Sequence, residues 1–132
     1  MAVYSMNLRR LLGEKKTGGS GKMNVKTNIK MVDVSKADDN SLKVEFLYQT
    51  EYEPDFGLIE IAGDLYYSSE KEEISKLAAQ WEKDKKLDED VSLKVLNRIF
   101  SRASIEAAIL AKEINLPAPF SLPKFAKKEK AE

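Results

Sequence analysis

The hydrophobic period changes once along this chain, near residue 70, and that change limits the available folds more than any other feature. Before it, apolar residues alternate with polar ones, as in strands that bury one face. After it they recur every three or four residues, as in helices that bury one stripe. Leu42, Val44, Phe46 and Tyr48 alternate with Lys43, Glu45, Leu47 and Gln49, which predicts a half-buried antiparallel strand. Ile74, Leu77, Ala78 and Trp81 follow helical spacing. Strands followed by helices on short connections predict an α+β architecture, one antiparallel sheet with two helices packed on one face. A chain of 132 residues suits one such domain, expected over residues 1–125, with residues 126–132 as a charged, disordered tail.

The remaining elements follow from local signals. Ala2 to Leu12 reads as a strand with Tyr4, Met6 and Leu8 facing the core, although an N-terminal helix also fits. Thr17-Gly18-Gly19-Ser20-Gly21 is a flexible break. Met23 to Val34 alternates through Met23, Val25, Ile29 and Met31 and then shifts phase at Val32 and Val34, the mark of a bulge. Ser35 to Ser41 is a polar turn, and Pro54 turns the chain again because it cannot donate to a ladder. Phe56 to Tyr67 is the last strand, with Gly63 at a bulge or bend.

Ser69 and Glu72 have the spacing of a capping box for a helix over residues 70–86. Asp88-Glu89-Asp90 opens a second helix, where acidic residues suit the positive end of the dipole. Its apolar stripe runs through Val91, Val95, Leu96, Ile99, Ala103, Ala107, Leu110 and Ile114, with the helix ending near Glu113. Three prolines between Leu116 and Pro123 then favour an extended segment that carries Leu116, Phe120 and Leu122 outward or onto a groove.

With no cysteine and no histidine, the chain has no disulfides, no thiolate nucleophile, no Cys/His zinc site and no imidazole base. Gly18 to Lys22 superficially resembles a phosphate loop, but Lys16 stands where the first glycine belongs and Met23 where Ser or Thr would hold magnesium. Asp38-Asp39 and Asp88-Glu89-Asp90 are the densest carboxylate groups, and turns and a helix start account for them. We therefore expect a protein that is not an enzyme, with no metal and no cofactor.

Net charge is zero, yet its distribution is uneven. Residues 1–31 carry seven basic side chains against one acidic, residues 32–90 seven against seventeen, and residues 91–132 eight against four, giving +6, −10 and +4. Such segregation can steer a partner. The basic start, with Tyr4 among Arg9, Arg10, Lys15 and Lys16, makes a nucleic-acid-binding module the second reading. No signal peptide or membrane-spanning run is visible, so a cytoplasmic protein without membrane insertion is expected.

Phe46, Tyr48, Tyr52, Phe56, Tyr66 and Tyr67 concentrate the aromatics in the strands. Sheet core is the default reading. Because Tyr66 and Tyr67 must point to opposite faces, as must Phe46 and Leu47, some apolar surface is left for a subunit or ligand.

The order of these pieces resembles the SecB-type export chaperone family. The strongest match runs from Asn97 to Glu106 and on through Ile114-Asn115-Leu116-Pro117-Ala118-Pro119-Phe120, similar to the family's long helix and the proline-containing segment after it. Val25-Lys26 through Ala37-Asp38-Asp39 to Val44, and Phe56-Gly57-Leu58-Ile59, are similar in spacing to its middle strands. The crossover between the first two strands, Lys15 to Lys22, is shorter and richer in glycine than the family's. The family's tail contacts with the export motor find no counterpart in Ala126 to Glu132.

The resemblance implies a four-stranded sheet that begins with Ala2 to Leu12, assembly as a homo-oligomer, dimer or tetramer, and ATP-independent holding of unfolded polypeptides in apolar grooves. The client contacts expected are Phe46, Tyr48, Phe56, Leu58, Leu116, Phe120 and Leu122. Ile74, Leu77 and Trp81 are expected to pack the first helix onto the sheet or a subunit. Protein export and control of a toxin–antitoxin pair both remain open as settings.

Overall fold

The structure, a computed structural model, describes residues 2–119. Four strands precede two helices: β1 Ala2–Lys15, β2 Asn24–Asp38, β3 Ser41–Glu53, β4 Gly57–Ser68, α1 Lys71–Asp84 and α2 Glu89–Glu113. The strands form one antiparallel sheet in the order β1-β4-β3-β2. Hairpins join β2 to β3 and β3 to β4, whereas β1 and β2 occupy opposite edges. Residues 16–23 must therefore carry the chain across the full width of the sheet.

The alternation seen in β3 decides which face is buried. Leu42, Val44, Phe46, Tyr48, Thr50 and Tyr52 are buried, and their neighbours in β4, Ile59, Ile61, Leu65 and Tyr67, complete that face. Both helices cover it, α1 over β2 and β3 and α2 chiefly over β4 and β1. Ile74, Leu77 and Trp81 of α1 are buried there, as are Val91, Val95, Ile99, Ala103, Ala107 and Ala111 of α2. Spacing of four residues advances a helical stripe by about 40° per step, so the buried side of α2 winds around the helix as it crosses the sheet obliquely. Leu93 lies in a cleft beside Met31 of β2, while Leu110 and Ile114 sit over Gly13 of β1.

Both edge strands are bulged. The β1–β4 register shifts between Leu8 and Arg10, and the β2–β3 register shifts between Met31 and Asp33, the phase change expected at Val32. The bulge expected at Gly63 lies in the partner strand, opposite it. Gly63 is needed because a side chain there would run into the Asn7 carbonyl oxygen of β1. A second shift, between Val3 and Ser5, turns Tyr4 out of the core to which its alternation with Met6 and Leu8 assigned it. Tyr4 is exposed and packs against Tyr66 instead, with ring centroids 6.1 Å apart.

Three local expectations are corrected. The polar stretch 35–41 is mostly strand: pairing continues to Asp38 opposite Ser41, and the Asp38 carboxylate accepts the Asn40 N–H at 2.8 Å to close a two-residue turn. The Ser69–Glu72 capping box does not form. Ser69 is held by backbone pairing to the neighbouring turn, its N–H donating to the Asn40 carbonyl at 3.0 Å, so the helix starts after Glu70 and the Ser69 hydroxyl donates to Glu73. The first helix also ends at Asp84, where Lys85 takes a left-handed conformation. The second helix keeps its expected bounds: Asp88 accepts from the Asp90 N–H at 3.1 Å, and at the far end Asn115 adopts φ 58° while the Leu116 N–H donates back to Ala111 at 2.8 Å, a left-handed closure followed by proline.

Gly63→Ala is expected to lower stability by about 1–3 kcal/mol, because overpacking here displaces β1 backbone. Urea denaturation read by tryptophan fluorescence checks this.

Candidate functional site

Three chain segments that are distant in sequence meet at the β3–β4 turn. The Lys16 N–H donates to the Phe56 carbonyl at 3.0 Å, anchoring the start of the crossover, and the Phe56 N–H donates to the Tyr52 carbonyl at 2.9 Å, closing the turn. Gly19 lies directly on the Phe56 ring, where any side chain would enter the ring itself, so the glycine content of the crossover has a steric cause at this position. From the other side Leu116, buried just past α2, covers Gly57, and the Tyr52 hydroxyl donates to the Pro117 carbonyl at 2.7 Å. Phe56 remains half-buried between crossover and turn.

Tyrosines mark the polar seam of this end. Burial, with a smaller contribution from Tyr48, pushes the Tyr52 phenol up to about 12. The Tyr48 hydroxyl is buried without a hydrogen-bond partner among the described residues. Farther along the same face, burial and then the carboxylates of Glu73 and Asp88 raise the Tyr67 phenol. Thr27 and Thr50 hydroxyls, 3.0 Å apart, pair across β2 and β3.

The expected client contacts are placed differently from one another. Phe56 and Leu116 are brought to the same end. Leu58 is half-buried on the opposite, uncovered face of the sheet, in the row of Glu14 and Glu51. Phe46 and Tyr48 lie in the middle of β3 under the helices and present no surface in this chain: their alternation with polar neighbours marked a buried face, and the helices are what it buries against. Phe120 and Leu122 lie outside the described residues. Ile74, Leu77 and Trp81 sit in the core beneath α1.

The uncovered face of the sheet is held by ion pairs. Asp64, 1 % exposed, takes Arg9 on one oxygen and faces the Asn7 amide at 3.5 Å with the other. Arg10 and Gln49 both reach Glu60, each at 2.9 Å. Two of the cations that suggested a nucleic-acid surface are thereby committed to carboxylates within the sheet. Between these pairs lies a shallow cavity of about 510 Å³ bordered by Arg9, Val32, Lys43, Leu47, Ala62 and Asp64. Sequence reasoning missed Asp64, since an acidic residue in an alternating strand carries no sign that a partner strand will bury it. It also missed Ile105 and Ile109, exposed on α2, which a helical projection separates from the buried stripe.

No helix among the described residues is long and apolar enough to cross a membrane. Among the same residues no cluster of acidic side chains is arranged to hold a metal ion. The arrangement offers apolar contact and two open strand edges.

The chain superimposes on the Mycobacterium tuberculosis Rv1957 SecB-like chaperone, solved in complex with a ChAD peptide from the Rv1956 HigA1 antitoxin, with a TM-score of 0.59 over 92% of this chain and 88% of that one. The fold is SecB-like. At 10% identity the likeness is one of architecture. No protein-family model and no curated protein matches the sequence.

Two tyrosine substitutions are expected to have different effects. Tyr52→Phe loses the bond to Pro117 and costs about 0.5–1.5 kcal/mol, whereas Tyr48→Phe removes an unpaired buried hydroxyl and leaves stability unchanged or raises it by about 1 kcal/mol. An unfolded tyrosine ionises near pH 10, while folded Tyr52 keeps its proton to about 12. In that window the unfolded chain binds fewer protons, so stability falls as pH rises. Denaturation curves at alkaline pH should show a shallower loss in Tyr52→Phe than in the parent.

Proposed function

We propose that this chain is a chaperone-type protein that holds unfolded or extended polypeptide segments without nucleotide, through apolar surface. The observation that carries this reading is the likeness, over 92% of the chain, to a SecB-like chaperone solved with a peptide bound. Composition supports it from the other side: a chain without cysteine or histidine is better equipped to hold a partner by area than to transform it, and apolar attraction is tolerant of client sequence.

The client contacts proposed are Phe56 and Leu58, continued by Phe120 and Leu122, with Leu116 buried beneath the turn. Phe56 and Leu116 flank the β3–β4 turn, and the Pro117 carbonyl is tied to it through Tyr52. Phe46 and Tyr48 support this surface from within the core. A cytoplasmic homo-oligomer, dimer or tetramer, is the form in which we expect it to work, its two strand edges being available for pairing with a further strand.

The test is aggregation of a reduced, unfolded client protein followed by light scattering, without nucleotide. Suppression by a several-fold excess of this protein, weakened by Phe56→Ser but little changed by added salt, is the expected result. Unchanged scattering at that excess overturns the proposal. Sedimentation of the same sample reports the assembly, and a monomer at all concentrations overturns its oligomeric part.

A further inference from the structure

The crossover of residues 16–23 is held at its ends and loose between them. At its start the Lys16 N–H donates to the Phe56 carbonyl, and at its end Met23 packs against the core. From residue 17 to residue 22 the chain makes no hydrogen bond and no ion pair among the described residues. It approaches the β3–β4 turn through two glycines, Gly18 beside the Asp55 side chain and Gly19 on the Phe56 ring. A third, Gly21, stands at φ 80°, a conformation that glycine adopts without strain.

This is a weak cover for an aromatic ring. Glycine brings no side chain, so the crossover meets Phe56 with backbone alone, whereas a leucine or phenylalanine of a client would bury far more apolar area against the same ring. Segments with few buried apolar contacts and unpaired backbone open at small cost, and glycines regain the most conformational freedom on release. Client and crossover also exclude each other. Even a Cβ at Gly19 would lie 2.4 Å from a carbon of the ring, so no client side chain reaches that side of Phe56 while Gly19 is there.

We propose that residues 17–21 are a strap over Phe56 that a client displaces. The free chain keeps the ring covered, and an apolar side chain of the client takes the place of Gly19. The hinges are Lys16 and Met23, so the strap swings away while β1 stays paired with β4 and β2 with β3. This inference rests on the reading of Phe56 as a client contact and adds a competition to it: the apparent affinity for client is lowered in proportion to the population in which the strap is closed.

The test exploits a chain without cysteine. A Cβ at Gly18 would stand 3.3 Å from the Asp55 Cβ, within a few tenths of an ångström of the span of a disulfide. Gly18→Cys with Asp55→Cys therefore locks the strap when oxidised and frees it when reduced. Gly19→Ala does the opposite, keeping the strap off the ring. Because Asp55 stands at φ 60°, circular dichroism verifies that the cysteine pair folds, and titration of free thiols verifies that it closes. The probe is a fluorescently labelled unfolded protein, reduced and alkylated beforehand so that it needs no reductant, and binding is read by anisotropy. The oxidised pair is expected to bind at least about tenfold more weakly than the reduced pair, and Gly19→Ala about threefold more tightly than the parent. Equal binding by the oxidised and reduced pairs, or binding by Gly19→Ala no tighter than the parent's, overturns the strap and makes the crossover a fixed wall of the site. If the thiols do not close, Gly19→Ala decides alone. A parent protein that binds no client overturns the chaperone reading itself, and is told apart from failure of the strap because there the parent binds.

Discussion

The pairing of β1 with β4 joins the two ends of the strand region, and the other parts of the molecule follow from it. It places β1 and β2 on opposite edges and so obliges residues 16–23 to cross the sheet. The crossing passes the β3–β4 turn, where Gly19 against Phe56 and the Lys16–Phe56 backbone bond fix it. It also leaves two edges unpaired within the chain. The same pairing carries the Arg9–Asp64 and Arg10–Glu60 contacts, so cations at the start of the chain serve the sheet before they can serve a partner.

Burial on one face separates structural from available apolar residues. The helices cover the row from Leu42 to Tyr52, which turns Phe46 and Tyr48 into core. Exposed apolar groups lie elsewhere, among them Tyr4, Leu11, Val25 and Val32 on the edge strands and Leu93, Ile105 and Ile109 on α2, with Phe56 and Leu58 half-buried.

Much of the fold was legible in the amino-acid order. The change of period near residue 70 separated strands from helices, the phase shift at Val32 marked a bulge, and the prolines after Leu116 marked the end of α2. These are local signals, read from neighbouring residues. What escaped depended on contacts between distant ones. Ser69 was removed from its cap by a bond to Asn40, and Tyr4 was turned outward by a register shift against β4. Of the candidate site, the sequence supplied Phe56 and Leu116 as residues but had no means of showing that the chain brings them to one end.

The sequence by itself determined the class of structure and excluded a class of chemistry: periodicity is a local property, and a missing histidine or cysteine is missing in any fold. The tertiary structure decided which apolar residues face outward and which charges are spent. Alternation along β3 marks the face to be buried, and only the packing of α1 and α2 shows what it is buried against. Likewise the cations at Arg9 and Arg10 look free in the chain and are bound in the sheet, because Asp64 and Glu60 reach them only when the first strand pairs with the last.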